Sequence, residues 1–162
     1  VNSYNITNFA DIFLLKNKHI NYQLIMYPEY LTTPMKAELT EHGFADLTNI
    51  EQVDELIKNE GTAFVVINSV CGCAAANARP AAKLAVQYAN KKPDRLATAF
   101  AGVDREATNQ VRNHTLPYPP SSPCMALFKD GRLVHFIERH QIEGRSAQDI
   151  AREMLTAFET HC

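Results

Sequence analysis

The sequence predicts an α/β domain: a mixed central sheet with helices on both faces. Three observations carry that expectation. Phe64-Val65-Val66-Ile67 is an unbroken apolar run, the mark of a strand covered on both sides. A second central strand, Leu96 to Ala101, follows after a helical stretch, and strand–helix–strand order calls for parallel pairing through right-handed crossovers. Finally, Lys129-Asp130-Gly131-Arg132 separates two apolar segments, and Asp-Gly is a strong signal for a hairpin that adds antiparallel strands.

In chain order, residues 1–25 are mixed in polarity and weakly periodic, and they are read as a flexible extension outside the domain, which runs from 26 to 162. Pro34 to His42 is expected as a short helix with its proline in the first turn. Phe44 to Leu47 suits a short edge strand. Thr48-Asn49-Ile50-Glu51 has the capping-box pattern, opening a helix with Val53, Leu56 and Ile57 on one face. Asn59-Glu60-Gly61 ends it before the first central strand. A helix then runs to about Ala89, where Lys91-Lys92-Pro93-Asp94 breaks it. Asp104 is expected to cap a helix reaching about Asn113. The hairpin pairs Met125–Phe128 with Leu133–Glu138, and Ser146 starts a last helix through Phe158.

Composition narrows the function. The chain has 162 residues, 46% of them hydrophobic, and a formal net charge of -2. That is ordinary globular usage for one domain. The near-neutral balance argues against nucleic acid and against an acidic membrane surface as partners. No apolar run approaches the ~18 residues that span a bilayer, and Val1 to Ala10 lacks the pattern of a signal peptide. Four cysteines in so apolar a chain are no disulfide scaffold, so a cytoplasmic location fits best, where paired thiols usually mean redox or metal chemistry. The sequons at Asn5 and Asn113 are accordingly read as chance.

The chemistry concentrates in VVINSVCGCAAANARP, Val65 to Pro80. Cys71 and Cys73 stand one residue apart where a strand gives way to a helix. The spacing alone is weak evidence, but a helix N-terminus offers unpaired N–H groups and a positive dipole end, which stabilise thiolate. Redox chemistry leads on these local grounds, with metal binding and simple packing of small apolar side chains as alternatives. A disulfide needs Cα atoms 4.4–6.8 Å apart, near the limit for extended i, i+2 neighbours, so Gly72 is expected to bend the backbone. So small a ring should be strained and labile. Pro80 should kink the helix behind it. Asn68 and Arg79 flank the thiols; Arg79 either supports a thiolate by charge or is a solvated helix residue. Downstream, Pro123 sits at the start of a buried strand, where a proline without an N–H belongs. His114, His135 and His140 lack tight ligand spacing and are read as surface or edge residues.

The stretches MYPEYLTTPM, VINSVCGCAAANARPAA, TAFAGVDREAT and YPPSSPCMALFKDGRLVHFIERHQIEG, with the final helix, resemble the bacilliredoxin family of CGC-motif proteins. The resemblance spans Met26 to the end. It implies a thioredoxin-like three-layer fold, with the Ser122–Pro123 bond as the cis-proline of that fold. It further implies a thiol–disulfide oxidoreductase that removes bacillithiol from mixed disulfides on proteins, with weak disulfide-isomerase activity in some members. By that match Cys71 attacks, Cys73 resolves, and Ser122, Pro123 and Cys124 border the substrate. The expected partners are S-thiolated proteins and a low-molecular-weight thiol, with no cofactor and no resident metal. Cys124 departs from the family pattern, which has serine there. A thiol at that position should face Cys71 across the cleft, as an alternative resolving thiol, a corner of a Cys71/Cys73/Cys124 metal site, or a plain stand-in for serine. A metal or iron–sulfur module built on those three cysteines is therefore the alternative function. Cys162 should be exposed.

Overall fold

A computed structural model describes residues 27–162; the flexibility expected of residues 1–25 lies outside the described residues. The elements are α1 (Glu29–Thr40), β1 (Ala45–Asp46), α2 (Ile50–Lys58), β2 (Thr62–Asn68), a π-helical turn (Ala74–Ala78), α3 (Arg79–Tyr88), β3 (Arg95–Phe100), α4 (Arg105–His114), β4 (Cys124–Lys129), β5 (Arg132–Ile137), α5 (Arg139–Ile142) and α6 (Ala147–His161). The sheet order is β1-β3-β2-β4-β5. β1, β3 and β2 run parallel, whereas β4 is antiparallel to β2 and to β5.

Strand β2 lies at the centre, and all seven of its residues are buried. Its side chains alternate between two cores, as the pleat dictates. Phe64 and Val66 join Leu39 of α1, Ala81 and Ala85 of α3, and Met154 and Phe158 of α6. Ala63, Val65 and Ile67 face the other way, against Val53 and Ile57 of α2 and Val111 of α4. Phe64 meets Phe44 and Phe158 edge-on, at centroid separations of 5.9 and 5.2 Å. Helices therefore cover both faces, and the three-layer α/β expectation holds.

Local boundaries differ from expectation for identifiable reasons. Helix α1 begins at Glu29, five residues ahead of Pro34, which lies inside it. In α2 the cap is Asn49 rather than Thr48: its side chain accepts from the Gln52 N–H at 2.9 Å, and the Gln52 side chain accepts from the Thr48 N–H at 2.8 Å. Only half of a box forms, one residue later than expected, because Gln52 reaches back to the N–H before the cap rather than to that of the cap itself. Asp104 stands at the head of α4 without a side-chain cap. Its carboxylate instead accepts from the Phe100 N–H at 2.9 Å and pairs with Lys36 at 2.8 Å, tying α1 to the end of β3. The β4–β5 turn is Asp130-Gly131, with φ of +49° and +78°, the double positive φ that a two-residue I′ turn requires. The short helix α5, closed by a Glu138–Gln141 capping box, has no counterpart in the sequence expectations. Cys162 is half-buried rather than exposed.

Candidate active site

Strand β2 ends at Asn68, and the bend after it is held from three sides. The buried Asn68 amide donates to Met35 O in α1 at 3.0 Å, and its oxygen accepts from the Ser69 N–H at 2.8 Å and from Arg79 at 3.2 Å. Arg79 also donates to Ser69 O at 3.2 Å and pairs through Nε with Glu38 at 3.0 Å. It is only 2% exposed. The solvated reading of Arg79 fails: its hydrogen bonds go to the end of β2, and its ion pair goes to Glu38 of α1. A buried guanidinium is tolerable because Nη1 donates to two fixed oxygens and the Glu38 carboxylate balances the charge.

This frame presents Cys71, half-buried and disulfide-bonded to Cys73 with a Cα–Cα separation of 5.4 Å. Gly72 does not close the ring through unusual backbone freedom, since it is not among the positive-φ glycines. The helix does it. Gly72 and Cys73 already have helical backbone, and helical i, i+2 residues lie well within disulfide reach. A side chain on Gly72 would meet nothing within 4 Å, so the glycine leaves open ground beside the sulfurs. Cys71 Sγ accepts from the Ser69 hydroxyl at 3.2 Å and from the Ala74 N–H at 3.3 Å. Two donors aimed at one sulfur favour its thiolate once the disulfide is reduced. The helix N-terminus is legible in the sequence; Ser69 is not, because only the bend after β2 turns its hydroxyl toward the sulfur.

Pro80 produces no simple kink. The turn before it is π-helical, with the Arg79 N–H bonded back to Ala74 O. Widening that turn accommodates the ring and the missing N–H of Pro80, which then enters α3 in its first turn, where prolines are tolerated.

The second strip of the site is the segment before β4. The Ser122–Pro123 bond is cis, as expected, and Leu116–Pro117 is cis as well. Ser122 shares a cavity of about 310 Å³ with Cys71, Ser69, Arg112 and Arg139. Pro123 is buried behind it.

Cys124 corrects the reading that a third thiol faces Cys71. It is 1% exposed, lies opposite Ile67 in the β2–β4 ladder, and packs in the core against α2 and α4. It is absent from the lining of the Cys71 cavity. Burial pushes its thiol up to about 12, against a smaller opposing pull from the Arg112 charge. A thiol so held is a small apolar side chain. Among the described residues no three His, Cys, Asp or Glu side chains cluster to hold a metal ion. His114 pairs with Asp54 at 2.8 Å and His135 with Glu153 at 3.2 Å, and none of the three histidines borders the Cys71 cavity.

A disulfide between near neighbours at the head of a helix, with Cys71 and the residue before a cis-proline lining one cavity, is an arrangement that can carry thiol–disulfide exchange. Yeast mitochondrial thioredoxin 3 in its oxidised form superposes with a TM-score of 0.52 over 76% of this chain and 98% of its own at 17% identity. The thioredoxin-like domain of Arabidopsis NCP gives 0.53 over 74% and 79% at 14% identity. These likenesses establish the fold. The family model described as disulphide isomerase matches residues 27–162. A bacilliredoxin of Cytophaga hutchinsonii is 56% identical over 134 residues, 83% of this chain and 98% of its own. One from Bacillus licheniformis is 52% identical over 140 residues, 84% and 97%. The chain belongs to the bacilliredoxin family. Among the described residues no helix is long and apolar enough to cross a membrane.

Proposed function

We propose that the protein strips a bacillithiol-like small thiol from mixed disulfides on other proteins, with Cys71 as nucleophile and Cys73 as resolving thiol. The observation that carries this reading is the pair of donors, Ser69 Oγ and Ala74 N, on a half-buried Cys71 Sγ beside Cys73. In the first step the Cys71 thiolate attacks the small-thiol sulfur of a protein–S–S–R disulfide. A Cys71–S–S–R bond forms, and the protein sulfur leaves with the electron pair and takes a proton from water. In the second, the Cys73 thiolate attacks Cys71 Sγ, releasing the small thiol and closing the Cys71–Cys73 disulfide. A dithiol, or two small thiols that leave as their own disulfide, then supply the two electrons that reopen it.

Ser122 and the cis Ser122–Pro123 bond border the same cavity, which supports a role for this strip in laying substrate beside Cys71. Cys124 has no part in the reaction. The setting is the cytoplasm. The test loads a one-cysteine reporter protein with bacillithiol and follows its release by mass spectrometry. Release by the wild type, and a Cys71–S–S–R adduct that accumulates in Cys73→Ser, are expected; an adduct on Cys73 in Cys71→Ser would reverse the roles. The family model's description also supports a weak disulfide-isomerase activity, measured as recovery of activity from scrambled ribonuclease.

A further inference from the structure

Arg112, near the end of α4, and Arg139, at the start of α5, line the cavity that contains Cys71, and no Asp or Glu lines it. The two cations differ in what balances them. Arg139 is exposed, and its Nε donates to Glu143 at 2.7 Å. Arg112 is half-buried, and among the described residues no carboxylate lies within ion-pair distance of it. Its Nε is buried without a hydrogen-bond partner there, and its other nitrogens make one long donation, 3.4 Å to Asn109. Cys124 feels the Arg112 charge, but burial holds its thiol at about 12, so it stays protonated and supplies no anion. The other charges nearby are already placed. Arg79 is balanced by Glu38 at 3.0 Å, and Glu138 closes the capping box of α5. Tyr27 is the remaining titratable residue of the lining. An unpaired N–H on a buried cation is unfavourable, and in the oxidised protein the cavity offers it no anion. Reduction changes that, because it frees the Cys71 sulfur to become one.

We infer that Arg112 is the counter-charge of reduced Cys71. On reduction Cys71 gives its proton to water, and its thiolate then shares one small cavity with a cation that no carboxylate has claimed. The inference rests on the exchange reaction proposed above, in which Cys71 is the nucleophile, and adds a positioning residue to it. Ser69 Oγ and Ala74 N are neutral donors that fix the sulfur at short range. A full charge across the cavity shifts the proton equilibrium of that sulfur. The stabilisation acts on the reduced form alone, so it also makes the Cys71–Cys73 disulfide a stronger oxidant than it would be without Arg112.

The experiment uses the full chain in its reduced form. The pH dependence of alkylation at Cys71, located by mass spectrometry, gives the pKa, and equilibration with glutathione buffers gives the potential of the pair. Arg112→Gln should raise the Cys71 pKa by about one pH unit, the low end of what an opposite charge nearby produces. At a pH below both values the alkylation rate should fall only about threefold, since the more basic thiolate is the better nucleophile. The potential should become more negative in the same variant. Arg112→Lys should keep most of the effect. Arg139→Gln should move the pKa far less, because Glu143 already balances that charge. A second measurement leaves Arg112 in place and so does not depend on how its variants fold. In the reduced wild type the Arg112 Nε–H resonance should titrate with the pKa of Cys71. It should stay still over that range in the oxidised protein and in Cys71→Ser. A Cys71 pKa unmoved in folded Arg112→Gln, or an Nε–H signal blind to Cys71, overturns the inference and leaves the exchange reaction standing. An equal shift in Arg139→Gln overturns the assignment to Arg112. If both shifts appear and no small thiol is released from a mixed disulfide, the exchange reading falls and the counter-charge stands.

Discussion

Cys71 and Cys124 both stand at one end of the central strand β2, yet they are chemically opposite. Cys71 follows the strand's last residues, where two donors reach its sulfur. Cys124 pairs with Ile67 on the neighbouring strand and is sealed in the core, its thiol pushed up to about 12. The difference comes from direction. A residue in a ladder points wherever the pleat sends it, and here the pleat sends Cys124 into the α2–α4 layer. A residue just past a strand is free to meet a helix N-terminus. Nearness in the sheet does not confer a shared reaction.

The largest effect should come from the exchange pair. Cys71→Ser should abolish release of a bound small thiol, and Cys124→Ser should leave it within about twofold; a comparable loss in both would erase the contrast. Next is the frame behind Cys71. Arg79→Met removes a buried cation that ties Asn68, Ser69 and Glu38 together, and should destabilise the fold by about 2–4 kcal/mol in denaturant unfolding. Ser69→Ala leaves the fold intact but removes one donor from Cys71. Alkylation of reduced Cys71 near neutral pH should slow by about tenfold, since a hydrogen bond to a charged group is worth ~1.5–3 kcal/mol. Under the same conditions Cys124 should resist alkylation until the protein is unfolded, because its thiolate is scarce at any ordinary pH.

The smallest effect lies away from both cysteines. Donation from Lys58, then His114 and Gln110, holds the Asp54 carboxyl well below the usual carboxylate range. A carboxylate so depressed stabilises the fold above its unfolded value of about 4, and that stabilisation is lost as pH falls further through the folded value. Asp54→Asn should therefore lower the melting temperature slightly near neutral pH and match the wild type in strong acid. If the deficit persists in strong acid, packing rather than charge explains it.

Element order, the buried central strand and the Asp-Gly turn are legible in the sequence, because periodicity and turn chemistry are local. The cysteine pair is legible for the same reason. The cis bond before Pro123 follows from the family resemblance, not from its neighbours. What the sequence hides depends on pairing across long separations. Arg79 reads either as a charge supporting a thiolate or as a solvated helix residue, until the fold buries it against Asn68, Ser69 and Glu38. Arg112 and Arg139 lie 27 positions apart, and nothing in either neighbourhood marks them as sharing a cavity. Sequence neighbourhood misplaces Cys124 because register decides which face it takes.

The π-helical turn Ala74–Ala78 can be viewed as a phase setting. Each residue of an α-helix advances the winding by about 100°, and a π turn carries one residue more than the α turn it replaces. The cysteines lie on the near side of this spare residue, and the buried alanines of α3, Ala81, Ala82 and Ala85, lie on the far side. Deleting one of the exposed alanines, Ala75 or Ala76, would swing Gly72 and Cys73 by roughly a quarter turn while the far side kept its seat against α6. The aim of the dithiol is thus adjustable by single insertions or deletions, independently of the core that holds the helix in place.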